Sequence, residues 1–98
     1  LSARPFSAQE ALRWGLVNAV YPLADLMPAV VVTAQRIASN APIAVRQAKQ
    51  SIHRGLQMSL ADGLTFEIEA YNRTVPTKDR IEGVLAFNEK RKPDFQGC

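Results

Sequence analysis

The 98-residue sequence predicts a mostly α chain, about five helices and one short strand. Three observations carry that prediction. Residues suited to start a helix recur along the chain, at Ser7, Asp25, Pro42, Ser59 and Thr77. Residues suited to end one follow each of them: Gly15, Ser39-Asn40, Gly55, Pro76 and Pro93. Between start and stop, apolar side chains return at three- and four-residue spacing, which lines one face of a helix.

Each element has its own reason. Ser7-Ala-Gln-Glu10 is a capping box, with Phe6 and Ala11 at the staple positions around it and Gly15 placed to close the helix in a left-handed conformation. Residues 16–21 are mainly β-branched, leucine or tyrosine and are closed by Pro22, so they read as the one short strand. One strand cannot form a sheet, so it needs partners from elsewhere. Asp25 is suited to cap the second helix, with Pro28 in its first turn and Leu26, Val30, Ala34, Ile37 and Ala38 as its stripe.

Pro42 suits the first position of the third helix, whose Ile43, Val45, Ala48, Ile52 and Leu56 oppose Arg46, Lys49, Gln50 and Arg54. Ser59 caps the fourth, in which Leu60, Leu64, Ile68 and Tyr71 recur. Thr77 caps the fifth, with Asp79 at its positive end and Lys90-Arg91-Lys92 at its negative end before Pro93 stops it.

Composition excludes several classes. Hydrophobic residues make up 47% and charged residues 21%, as in a globular domain rather than a disordered one. Twelve Lys and Arg against nine Asp and Glu give +3, compatible with an anionic ligand. A nucleic-acid binder is disfavoured, because neither a recognition-helix pattern nor interleaved aromatics accompany the charge. The longest apolar run is too short to span a bilayer, and no metal-ligand spacing occurs. The single Cys98 excludes an internal disulfide and fits a reducing compartment.

The order of four segments is similar to that in the enoyl-CoA hydratase/isomerase (crotonase) family. They are Arg4-Pro-Phe-Ser-Ala-Gln-Glu-Ala-Leu-Arg-Trp-Gly-Leu-Val-Asn-Ala-Val-Tyr-Pro22, Asn40-Ala-Pro-Ile-Ala-Val45 with Lys49, residues 67–71, and residues 77–97 with Glu89-Lys-Arg-Lys-Pro-Asp-Phe95. One departure is Ala3, where the family often has glycine. The resemblance implies an α/β fold in which a spiral of ββα turns is followed by C-terminal helices. On that reading the chain is the C-terminal helical part, residues 1–22 ending the core and 23–98 forming a helical tail.

The implied activity is that of an enzyme of fatty-acid metabolism, hydrating an enoyl-CoA or shifting its double bond. Backbone N–H groups polarise the thioester carbonyl in such enzymes, and acidic side chains move protons. Neither set falls in this chain, so no catalytic residue is expected here, and the chain alone is expected to be inactive. Two coenzyme A contacts carry over: Lys90, toward the phosphates of the nucleotide end, and Tyr71, packing on adenine or pantetheine. Coenzyme A enters as part of the substrate, with no covalently bound cofactor and no metal. The resemblance also implies a homo-oligomer, trimer or hexamer, with no nucleic-acid or membrane partner, in the cytoplasm or, in a eukaryote, the mitochondrial matrix.

Other residues have plainer readings. His53 lies on a polar helix face without a carboxylate partner. Glu67 and Glu69, two apart, point to different faces. Trp14 and Phe87 read as packing residues, and Cys98 has no activating neighbour. The alternative to the enzyme reading is an autonomous helical module whose exposed apolar faces bind a partner.

Overall fold

A computed structural model describes residues 3–98. The first two residues of the expected 1–22 segment lie outside the described residues. Five helices follow one another: α1 (Ala8–Arg13), α2 (Leu23–Ala38), α3 (Pro42–Gly55), α4 (Leu60–Asn72) and α5 (Lys78–Asn88).

No strand occurs among the described residues, which corrects the expected fold class. Residues 16–21 pass through bends into irregular extended chain. Their composition suits a pleated ladder, but a ladder needs a second chain segment to supply N–H and C=O partners. Leu16 and Tyr21 remain exposed accordingly. The chain as it stands is therefore helical, not a portion of an α/β fold with its own strand.

The chain divides into two compact units, residues 1–35 and 36–98. In the first, the capping box of α1 is complete: Ser7 Oγ accepts from the Glu10 amide at 3.1 Å, and Glu10 Oε2 accepts from the Ser7 amide at 2.9 Å. Gly15 takes φ 73° and closes a Schellman turn, its N–H on Leu12 O at 3.1 Å and the Leu16 N–H on Ala11 O at 2.9 Å. Trp14 packs against Phe6 with the rings tilted 58° and their centroids 5.3 Å apart.

Helix α2 begins earlier than expected. The Asp25 and Leu26 amides both donate to Pro22 O, so Asp25 lies inside the first turn and Pro28 in the helix interior. Pro28 has no N–H, which leaves one helical bond unmade. Ala3, the departure from glycine, adopts φ 51°, a left-handed conformation that glycine reaches without strain.

In the second unit, α3 and α4 form an antiparallel pair joined by a short turn. Pro42 occupies the first turn of α3, and Ser59 caps α4 by accepting from the Asp62 amide at 3.2 Å. The helices approach most closely at glycine: a Cβ on Gly63 would meet Gly55 Cα at 3.5 Å. Thr77 caps α5 and is itself anchored, its hydroxyl donating to Thr74 O at 2.6 Å.

Among the described residues the buried apolar side chains are all alanine: Ala11, Ala70 and Ala86. Most of the larger ones, including Leu23 at 89% and Leu60 at 80%, are exposed. Contiguous apolar surface of this kind is characteristic of interaction faces.

Candidate functional site

Two places in the second unit gather the polar groups that could hold a ligand. The first is the end of α5 with the tail that follows it. The helix closes in a second Schellman turn, the Lys90 N–H on Phe87 O at 3.3 Å and the Arg91 N–H on Ala86 O at 3.0 Å. Here a lysine, not a glycine, holds the left-handed position: Lys90 has φ 57°. Its Nζ stands 4.7 Å from the centroid of the Phe87 ring. Phe87 is 74% exposed, so most of its surface is left uncovered among the described residues. It presents a ring face to solvent with an ammonium over it.

Two carboxylates one helical turn apart fasten the tail. Asp79 is buried, and its Oδ1 and Oδ2 accept from the Gln96 and Gly97 amides at 2.7 and 2.8 Å. The Asp79 amide in turn donates to Cys98 O at 3.2 Å. Glu82 accepts from both terminal nitrogens of Arg91, at 2.5 and 2.9 Å, and from the Asp94 amide at 2.8 Å. Arg91 Nε also donates to Glu89 at 2.6 Å. Phe95 lies over Gly83, where a Cβ would sit 3.6 Å from the ring, and Gly97 lies beside Pro42.

The Arg91 hydrogen bond, with the Asp94 amide second, holds the Glu82 carboxyl down from 4.5 to about 2. Glu82 and then Glu89 hold the Arg91 guanidinium protonated above its ordinary range. A carboxyl with a depressed folded-state pKa contributes stability that is complete above its unfolded value and lost as pH falls. Between pH 4.5 and about 2, protonation of Glu82 is therefore expected to loosen the tail. Amide exchange of Asp94 measured across that window checks this, and unchanged protection down to pH 2 contradicts it.

The second place is a groove between α3 and α4, formed by two adjoining hollows of about 360 and 490 Å³. Tyr71 lines it, half exposed, with Gln47, Ser51, Ile52, Glu67 and Thr74. Gln47 Oε1 is buried there without a hydrogen-bond partner among the described residues. The groove thus offers apolar walls, an unsatisfied acceptor and a phenol.

Tyr71 and Lys90 are therefore placed at different features: Tyr71 on the groove, Lys90 on the terminal turn. No hydrogen bond or cation–ring contact joins them among the described residues. Glu67 faces the groove and Glu69 does not line it. His53 is exposed among Arg46, Lys49, Gln50 and Arg54. Cys98 is exposed, its backbone held while its thiol is free. No group of three or more His, Cys, Asp and Glu could hold a metal ion among the described residues. Among the described residues no helix is long and apolar enough to cross a membrane.

The sequence reading missed Phe87 as an exposed ring and both tail-fastening carboxylates. A signal for the latter was present: Gly83, a glycine inside a helix, weakens it unless something must approach closely.

The chain matches the family described as enoyl-CoA hydratase/isomerase over residues 1–98. That match occupies the whole chain and singles out no C-terminal helical part, so the expected C-terminal assignment does not stand. The chain is 44% identical to the short-chain-enoyl-CoA hydratase of Clostridium acetobutylicum, over 93% of this chain and 35% of that protein. It is 36% identical to the carnitinyl-CoA dehydratase of Proteus mirabilis, over 99% of this chain and 39% of that protein. The crystal structure of an enoyl-CoA hydratase from Bacillus anthracis superposes with a TM-score of 0.91 at 48% identity, covering 93% of this chain and 35% of that one. The chain spans little more than a third of the length of these relatives.

Proposed function

Because the chain belongs to the enoyl-CoA hydratase/isomerase family, we propose that it supplies coenzyme A contacts to an enzyme acting on acyl-CoA thioesters. Coenzyme A enters as part of the substrate. Lys90 engages the phosphates of its nucleotide end, and Tyr71 packs on its adenine or pantetheine. The carrying observation is the Lys90 ammonium held over the exposed Phe87 ring at the close of α5. A compact cation beside a solvent-facing aromatic face suits a ligand that pairs phosphate with a flat base.

The chain contributes no catalytic group of its own in this reading. Asp79, Glu82 and Arg91 are tied to the tail, Glu10 is held in the capping box of α1, and the other ionisable side chains are exposed. The uncovered apolar faces of α2 and α4 pack against the rest of the enzyme or against further copies in a homo-oligomer. A cytoplasmic or mitochondrial setting goes with that reading.

The test is Lys90→Ala in the full-length enzyme with crotonyl-CoA as substrate. Loss of a charge-assisted phosphate contact is expected to raise KM about tenfold with kcat nearly unchanged. An unchanged KM removes Lys90 from the site. The isolated chain assayed in parallel is expected to be inactive, and turnover by it overturns the assignment of a binding role alone.

A further inference from the structure

We propose that Glu82 is a positioning residue for Lys90: acting through Arg91 and the Asp94 amide, it fixes the turn that presents the Lys90 ammonium to the substrate's nucleotide end. This rests on the reading of Lys90 as a coenzyme A contact and deepens it.

The comparison that carries the inference lies within the chain itself. Helices α1 and α5 end in the same Schellman turn. At α1 the left-handed position holds Gly15, which adopts it without steric cost, and no side-chain hydrogen bond braces the turn among the described residues. At α5 the same position holds Lys90, whose Cβ disfavours that conformation. A residue in such a region stays there only where its surroundings over-determine it.

Glu82 is what over-determines it. One carboxylate grips residue 91, directly after Lys90, with a two-pronged hydrogen bond of 2.5 and 2.9 Å. The same carboxylate grips the backbone at residue 94 at 2.8 Å. The chain leaving Lys90 is thus fixed at two points to the fifth residue of its own helix. Glu89 adds a third hold on Arg91. Among the described residues Glu82 makes no hydrogen bond to Lys90, so its effect on Lys90 passes through the backbone. Arg91 is the residue of choice for this fork, because a lysine would supply a point charge but not two parallel N–H groups.

The experiment measures KM and kcat of the full-length enzyme with two substrates: crotonyl-CoA, and crotonyl-pantetheine, which lacks the nucleotide end. Glu82→Gln is expected to raise KM for crotonyl-CoA about fivefold, with kcat within about twofold, since a displaced binding group weakens a remote contact and leaves the chemistry. KM for crotonyl-pantetheine is expected to stay put. Adding Glu82→Gln to Lys90→Ala is expected to change nothing more, because the two act on one contact. Lys49→Ala, which removes one positive charge from α3, serves as the net-charge control for Lys90→Ala.

Should Glu82→Gln fail to fold, Arg91→Lys keeps both charges, breaks the fork and is expected to shift KM in the same direction. If Lys90→Ala leaves KM unchanged, the coenzyme A reading itself fails. If Lys90→Ala raises KM while Glu82→Gln and Arg91→Lys do not, only the positioning role is overturned. Equal increases for both substrates overturn it as well, since they mark a general structural defect.

Discussion

Replacement of Asp79 by alanine is expected to destabilise the fold by about 3 kcal/mol, the largest single effect of any substitution in the tail region. The carboxylate is buried, and it receives the Gln96 and Gly97 amides at 2.7 and 2.8 Å. Hydrogen bonds to a charged group contribute about 1.5–3 kcal/mol each, and their loss leaves two amide donors without a partner. Asp79 also lies in the first turn of α5, where a negative charge is favoured. Asp79→Asn is expected to be milder, since a carbonyl remains for one amide while the new NH2 faces the other. Urea unfolding followed by circular dichroism gives the magnitude. A midpoint unmoved by Asp79→Ala shows that the tail is held by other contacts.

The second large effect has two signs in one residue. Lys90→Gly is expected to stabilise the protein by about 1 kcal/mol, because glycine adopts φ 57° freely where lysine is strained. The same substitution is expected to raise KM for acyl-CoA about tenfold, by removing the ammonium. Lys90→Ala separates the terms: it removes the amine but keeps a Cβ in the left-handed position, so affinity falls without a gain in stability. Thermal unfolding and steady-state kinetics on both variants check the pair. A glycine variant that binds as well as the unaltered enzyme shows that lysine stands there for some other reason. A trade of this form, stability given up for a binding group, is common where a strained residue serves a ligand.

Helix boundaries were legible where a local rule decides them. Ser7 with Glu10, Gly15, Pro42, Ser59 and Thr77 all act at three- or four-residue range, and each occupies the position its chemistry suggests. Residues 16–21 misled because strand composition states only a fitness for pairing, and pairing is decided by a partner segment. Phe87 misled for a related reason: an apolar residue on a helix does not announce whether its face is covered.

The Glu82–Arg91 and Asp79–Gln96 links span nine and seventeen residues and leave the helix before they close. Helical periodicity carries no information at that range. Lys90 was legible as a cation at a helix end and by resemblance, while its left-handed backbone was not. The turn type depends on where α5 stops, and nothing local forbids one more residue of helix before Pro93.

The tie between Asp79 and the final residues has a practical consequence. Cys98 is the only cysteine in the sequence, its thiol points to solvent, and its carbonyl is held by the Asp79 amide. A thiol-reactive fluorophore therefore labels a single position of this chain without mutagenesis, on the very segment the two carboxylates fasten. Its anisotropy reads the tethered and released tail directly, and acid titration or coenzyme A addition can be followed on one preparation.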